Sequence, residues 1–107
     1  MNITFEEFKK LQIRMGLIIE AERVEGTDKL LKLKVDFGDE KRQIVSGIAQ
    51  FYAPEKLVGK QFPFVVNFEP RIIRGIESQG MILAINSKEK VVLLKPLKKV
   101  LPGSVVG

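Results

Sequence analysis

The sequence predicts an all-β fold: a five-stranded Greek-key barrel with a short N-terminal helix and a short helix between strands three and four. Three observations predict it. Gln12–Glu25 and Leu30–Phe37 alternate apolar and polar residues, the period of a strand with one buried face. Turn chemistry punctuates the chain at Glu25-Gly26-Thr27-Asp28, at Gly38-Asp39-Glu40 and at Asn86-Ser87-Lys88-Glu89-Lys90. One helix signal, Pro54 at its start and Gly59 past its end, falls after the third strand. That order of elements is the order of an OB-fold.

The elements follow in turn. Thr4-Phe5-Glu6-Glu7 has the form of a capping box, and Ile3 and Phe8 have the spacing of a hydrophobic staple. Phe5, Phe8 and Leu11 recur at helical spacing, so a helix is expected over residues 4–11, its apolar face turned to the core or to a second subunit. In the first strand Ile13, Met15, Leu17, Ile19 and Ala21 share one face, while Arg14, Gly16, Glu20 and Glu22 fill the other. Ile18 interrupts the polar side, and Gly16 is expected to mark a bend or bulge. In the second strand Leu31, Leu33, Val35 and Phe37 point inward, and Lys32, Lys34 and Asp36 point outward. With Lys29 just before, the two lysines form a positive stripe, which either protects a solvated edge strand or meets phosphate.

The third strand is expected over Arg42–Ile48, the fourth over Gln61–Phe68 and the fifth over Gly80–Asn86. A short strand from Val91 is stopped by Pro96. No internal repeat, linker or low-complexity stretch divides the chain, and 107 residues suit one domain, 1–107.

Composition narrows function. Hydrophobic residues make up 45% of the chain, enough for a core, yet no apolar run reaches the roughly 20 residues that span a bilayer. The first residues have neither the basic flank nor the apolar core of a signal peptide. With no cysteine, disulfides and thiolate metal sites are excluded and a cytoplasmic location is the default. With no histidine, the commonest general base and transition-metal ligand is missing, and no acidic pair has suggestive spacing. The expectation is a protein that is not an enzyme and uses no cofactor or metal. Charge is uneven. Residues 1–40 carry seven Lys/Arg against nine Asp/Glu, a balance of −2; residues 41–107 carry eleven against four, +7, which together make the overall +5. Such a basic excess favours polyanionic partners.

The connection between strands four and five is longer than a reversal needs, and it carries cations beside small polar groups. Lys29, Lys32, Lys34, Arg42, Arg71 and Arg74 form a cationic path if strands two and three lie beside it. Asn67, Ser46, Ser78 and Gln79 are then placed to hydrogen-bond bases or ribose hydroxyls, and Met81, with Phe68, to offer an apolar surface to an unstacked base. Purely structural roles stay open: Asn67 satisfying a turn, Ser78 binding a backbone N–H, Met81 in the core. Aromatic residues are few, seven Phe and one Tyr without Trp, so recognition of RNA shape is favoured over sequence-blind stacking.

The wording Asn67…Pro70-Arg71…Arg74-Gly75…Glu77-Ser78-Gln79-Gly80-Met81, with Arg42-Gln43-Ile44-Val45-Ser46-Gly47-Ile48, resembles the tRNA-binding domain appended to methionyl-tRNA synthetases. Free-standing dimeric tRNA-binding proteins, synthetase cofactor polypeptides and a secretion-related chaperone are relatives of that domain. Gln12, where the family often has Asp, and Glu69, an acid beside the groove, depart from the pattern. The resemblance implies a non-catalytic module that grips folded tRNA. It would be free-standing or an accessory part of methionyl-tRNA synthetase, and a homodimer whose Lys98–Ser104 tail packs at the interface. The alternative from the same family is a dimeric, peptide-holding chaperone; a carbohydrate-binding barrel would want more exposed aromatics. Charge reversal of Arg42 and Arg74 together is expected to weaken tRNA binding and leave the barrel folded.

Overall fold

Alternation and turn chemistry produce the expected barrel, with departures in β1, the fifth strand and the N-terminal helix. The computed structural model describes residues 1–107. In chain order the elements are α1 (Phe5–Lys9), β1 (Ile13–Arg23), β2 (Leu31–Asp36), β3 (Lys41–Ser46), a 3-10 turn (Pro54–Lys56), β4 (Gln61–Val65), β5 (Arg71–Ile73), β6 (Ile76–Ser78), β7 (Met81–Ile82), β8 (Ala84–Asn86), β9 (Val91–Leu93) and β10 (Val105–Val106). The barrel strands run in the order β3-β2-β1-β4-β7. Gln79 closes the ring: its backbone N–H donates to the Gln43 carbonyl at 2.8 Å, and its side-chain oxygen accepts from the Gln43 N–H at 3.0 Å.

β2 buries Leu31, Leu33 and Val35, with Phe37 just beyond it, as the alternation requires. Phe37 meets Phe64 edge-on, ring centroids 5.6 Å apart, in the barrel centre.

β1 departs from the expected single face. Ile18, not Leu17 or Ile19, belongs to the central core, and Ile13 and Met15 are buried outside it. The C-terminal segment covers that outer side: β10 pairs with Ile13 and Arg14, and the Met15 backbone bonds to both Gly103 and Ser104. Register then slips between Ile18 and Glu20, a bulge that restores Ala21 opposite Leu33 and turns Glu20 and Glu22 out to face Lys34 and Lys32. Gly16 makes the inward crowding possible. A Cβ there would collide with Val35 Cγ1 and lie 2.8 Å from Phe37 and 2.9 Å from Phe64. Gly16→Ala is therefore expected to cost about 1–3 kcal/mol, read as a lower urea midpoint; an unchanged midpoint would show that the wall yields there.

The long connection is structured. β5 and β6 form a hairpin with Ile73 opposite Ile76, so Arg74-Gly75 is its two-residue turn. The expected fifth strand is bent at Leu83: β7 pairs with β4, and β8 leaves the barrel to pair with β9. The expected helix over 4–11 shortens to Phe5–Lys9. Its capping box is complete, Glu7 N–H donating to Thr4 Oγ1 at 3.1 Å and Thr4 N–H to Glu7 Oε1 at 3.1 Å. No residue of α1 is buried, so its apolar face does not join the core. No helix is long and apolar enough to cross a membrane.

Candidate nucleic-acid interface

β3 is the edge on which the site is built, because β6 and Gln79 are stitched along it. Period-two geometry puts Glu40 and Arg42 on the same side of the chain, and Arg42 Nε donates to Glu40 Oε1 at 2.6 Å. Arg42 Nη1 donates to the Val66 carbonyl and, at 3.1 Å, to the Gln79 carbonyl. Its side chain is 22% exposed. Arg42 thus clamps β3 to both ends of the connection between β4 and β7, and the expectation that its charge can be reversed with the barrel intact is revised. The bond from Arg42 holds the Glu40 carboxyl below its ordinary pKa, and the bond from Arg14 does the same for Asp39.

Two proposed ligand-contacting polar residues are likewise committed within the fold. Ser78 is 3% exposed; its hydroxyl accepts from Val45 N–H at 2.9 Å and donates to the Gly80 carbonyl at 2.9 Å. Asn67 accepts from Gln12 N–H at 2.8 Å and donates to the Lys10 carbonyl at 2.6 Å, tying the end of α1 to the barrel. These are the structural roles left open from the sequence. Ser46, at the end of β3, is partly buried opposite Leu31. Met81 is not core: it lies at the surface, 37% exposed.

The cations divide into two groups. On the outer face of β1, β2 and β3 a shallow concavity of about 530 Å3 is lined by Lys32, Lys34, Lys41, Arg42 and Gln43, but also by Glu20 and Glu22. Lys32 Nζ is 2.8 Å from Glu22 Oε1, so this stripe is partly neutralised by β1, whose bulge aims those acids at it. Lys29 and Lys34 are exposed, and neither is in an ion pair.

The second group is the β5–β6 hairpin. Arg71 and Arg74 are exposed and unpaired. The hairpin base is held rigidly, through Ser78 and through Gln43 Nε2, which donates to the Glu77 carbonyl at 2.8 Å. At the tip Arg74 has φ +53° and Gly75 φ +79°, the left-handed pair of a type I′ turn. Such turns favour Asn or Gly at the first position; arginine there costs about 1–2 kcal/mol. A strained residue that displays a free guanidinium from a fixed base is a natural phosphate contact.

Sequence reasoning missed Glu40, Gln43 and Arg14. The first two had a local signal, their places two before and one after Arg42. Arg14 had none, because its partners are remote: Nε donates to the Gly103 carbonyl at 3.1 Å and Nη2 to the Phe37 carbonyl at 3.0 Å, latching the C-terminal segment down. No group of three acidic side chains converges in a way that could hold a metal ion.

Comparison with known proteins shows the family and the fold. The family model described as "Putative tRNA binding domain" matches residues 13–105. A methionine–tRNA ligase of Caldanaerobacter subterraneus is 50% identical over 105 residues, 98% of this chain and 16% of that protein. One of Methanothrix thermoacetophila is 55% identical over 101 residues, 94% of this chain and 15% of that protein. The chain therefore spans about a sixth of the length of these curated relatives. Among solved structures, a MetRS-related protein from Pyrococcus horikoshii superposes with a TM-score of 0.95 at 44% identity, covering 100% of this chain and 99% of that one. The chaperone CsaA from Bacillus anthracis superposes with a TM-score of 0.92 at 32% identity, covering both chains fully.

Proposed function

The chain belongs to the tRNA-binding domain family, and on that premise we propose that it is a non-catalytic module that grips folded tRNA. It acts free-standing in the cytoplasm or as an accessory part of a methionyl-tRNA synthetase, contributing affinity and no chemistry of its own. The whole chain, 1–107, works as one unit. The observation that carries this reading is the rigidly based hairpin with Arg71 and Arg74 exposed and unpaired. Lys29 and Lys34 extend the phosphate path, and Gln79 and Met81 meet the RNA beside it, while Arg42 and Ser78 hold the hairpin in place and Asn67 ties α1 to the barrel. Lys32 and Ser46 lie at the margin.

The test is an anisotropy titration of folded tRNA and a length-matched unstructured RNA across a salt series. Folded tRNA should bind with an affinity that falls steeply with salt, as phosphate contacts demand, and the unstructured strand should bind at least tenfold more weakly. Equal binding of both would sink the reading. The likeness to CsaA supports a second reading, a peptide-holding module using the exposed Phe68 and Met81. An unfolded polypeptide that displaces tRNA competitively, at lower concentration than tRNA itself, would favour it.

The module is proposed to be a homodimer. α1 is five residues long and buries none of them, although so short a helix is marginal without packing. Phe5 is 71% exposed and Val105 83% exposed, and Phe8 lies 4.0 Å from where a Cβ at Gly107 would stand, so α1 and β10 adjoin in one apolar surface. A second copy laid on that surface would bury it, and two hairpins on one RNA would raise affinity beyond a single module's. Phe5→Asp with Val105→Asp is expected to convert the dimer to a monomer in sedimentation, with circular dichroism unchanged; a wild-type monomer at high concentration would exclude the arrangement.

A further inference from the structure

Glu40, Arg42, Val66, Phe68, Pro70 and Gln79 line an open recess of about 290 Å3 beside the hairpin. Its apolar wall is Phe68, an aromatic ring 47% exposed. Its polar wall has groups that the fold leaves free. Glu40 gives Oε1 to Arg42, while Oε2 makes no hydrogen bond and has Arg14 Nη1 at 3.9 Å. Arg42 spends Nε and Nη1 on the fold, leaving Nη2. Gln79 accepts at Oε1 from Gln43, which leaves its Nε2 amide. Neither the Arg42 nor the Gln79 side chain holds a buried polar atom without a partner, so these free donors face the recess or solvent.

One exposed ring, one pinned carboxylate and two free donor groups match a nucleobase edge. We propose that the recess takes a single unstacked guanine of the bound RNA. The base stacks on Phe68. Its N1–H and N2 amino group donate to the Glu40 carboxylate, and its O6 accepts from Arg42 Nη2 or Gln79 Nε2. Guanine is selected because a carboxylate only accepts, and guanine alone offers two adjacent donors followed by an acceptor. Adenine and cytosine set a ring acceptor next to their amino group, and uracil flanks one donor with two acceptors; each would put lone pairs against Glu40. Single-stranded bases read by stacking and by their Watson–Crick edge are the usual mode of sequence-selective RNA recognition.

This inference rests on the RNA-binding reading, and its test separates the two. Amide NMR titrations of the wild-type protein with guanosine, adenosine, cytidine and uridine monophosphates and with inorganic phosphate are the first arm. The guanine nucleotide should shift the amides of Arg42, Phe68 and Gln79, the other nucleotides should shift them less, and phosphate should leave them unmoved. Four nucleotides acting alike, phosphate reproducing the shifts, or no movement there overturns the proposal. The second arm is Phe68→Ala, which is half exposed and should stay folded, with its melting temperature lowered by only a few degrees. It should lose the guanine shifts and bind tRNA roughly tenfold more weakly, with the wild-type salt dependence retained. Guanine shifts with undiminished tRNA affinity in Phe68→Ala would mean that the recess serves a free guanine nucleotide, which overturns the assignment to RNA. Loss of salt-dependent tRNA binding in the wild type would instead fell the underlying reading.

Discussion

Arg42→Ala is expected to lower stability by about 2–4 kcal/mol, the cost of stranding a clamp's partners. The guanidinium satisfies the carbonyl of Val66, itself buried, and that of Gln79, and it neutralises Glu40. Truncation leaves two carbonyls and a carboxylate without their donor at the seam where β3 meets Gln79. An unsatisfied buried carbonyl alone costs about 1–3 kcal/mol, and bonds from a charged donor are the strong ones. Arg42→Lys should recover only part, because one ammonium lacks the planar fork that reaches three acceptors from one position. Urea unfolding measures the loss, and amide exchange at Gln43 and Gln79 should quicken first if the barrel opens at its seam. A midpoint equal to wild type would show that Arg42 is not a clamp.

The opposite pattern is expected at the hairpin tip. Arg71→Ala with Arg74→Asn should leave the protein as stable as wild type, yet bind tRNA about 10–100-fold more weakly. Asparagine tolerates the positive φ that Arg74 endures, so relief of strain at the tip offsets any loss at Arg71. Neither arginine has an ion pair to lose. If each touches one phosphate, the slope of log affinity against log salt should flatten by about 0.7–0.9 per contact, or roughly 1.4–1.8 in all. A variant with the wild-type slope would show that the tip points away from the RNA. The two experiments together distinguish an arginine that builds the site from arginines that use it, a distinction invisible in residue type.

The strands of the barrel were legible wherever one face is wet. β2 shows this: Leu31, Leu33 and Val35, with Phe37 just beyond the strand, alternate and are all buried. β4 was legible as a strand but not as to its faces, since residues Phe62 to Val65 are all buried and alternation disappears. β1 misled, because a bulge after Ile18 and a C-terminal cover over Met15 change which face is dry partway along. The β5–β6 hairpin was obscured by Arg74, an unfavourable residue for the turn it forms. The basic excess and the wording of Asn67–Met81 singled out the candidate segments. The roles within them were not. Asn67, Ser78 and Arg42 have the same chemistry whether they face a ligand or a backbone group, and only their partners decide.

Composition, period and turn residues are local quantities, so the chain alone specified a small β barrel without histidine or cysteine chemistry and with a cationic second half. Partnership is not local. Arg42 meets Gln79 across 37 positions and Asn67 meets Lys10 across 57, and Glu20 and Glu22 reach the lysine stripe only through the register slip in β1. A charge's availability depends on what the folded neighbourhood has already claimed from it. That is why tertiary structure alone separated the arginines spent on closing the barrel from those left exposed and unpaired on the hairpin.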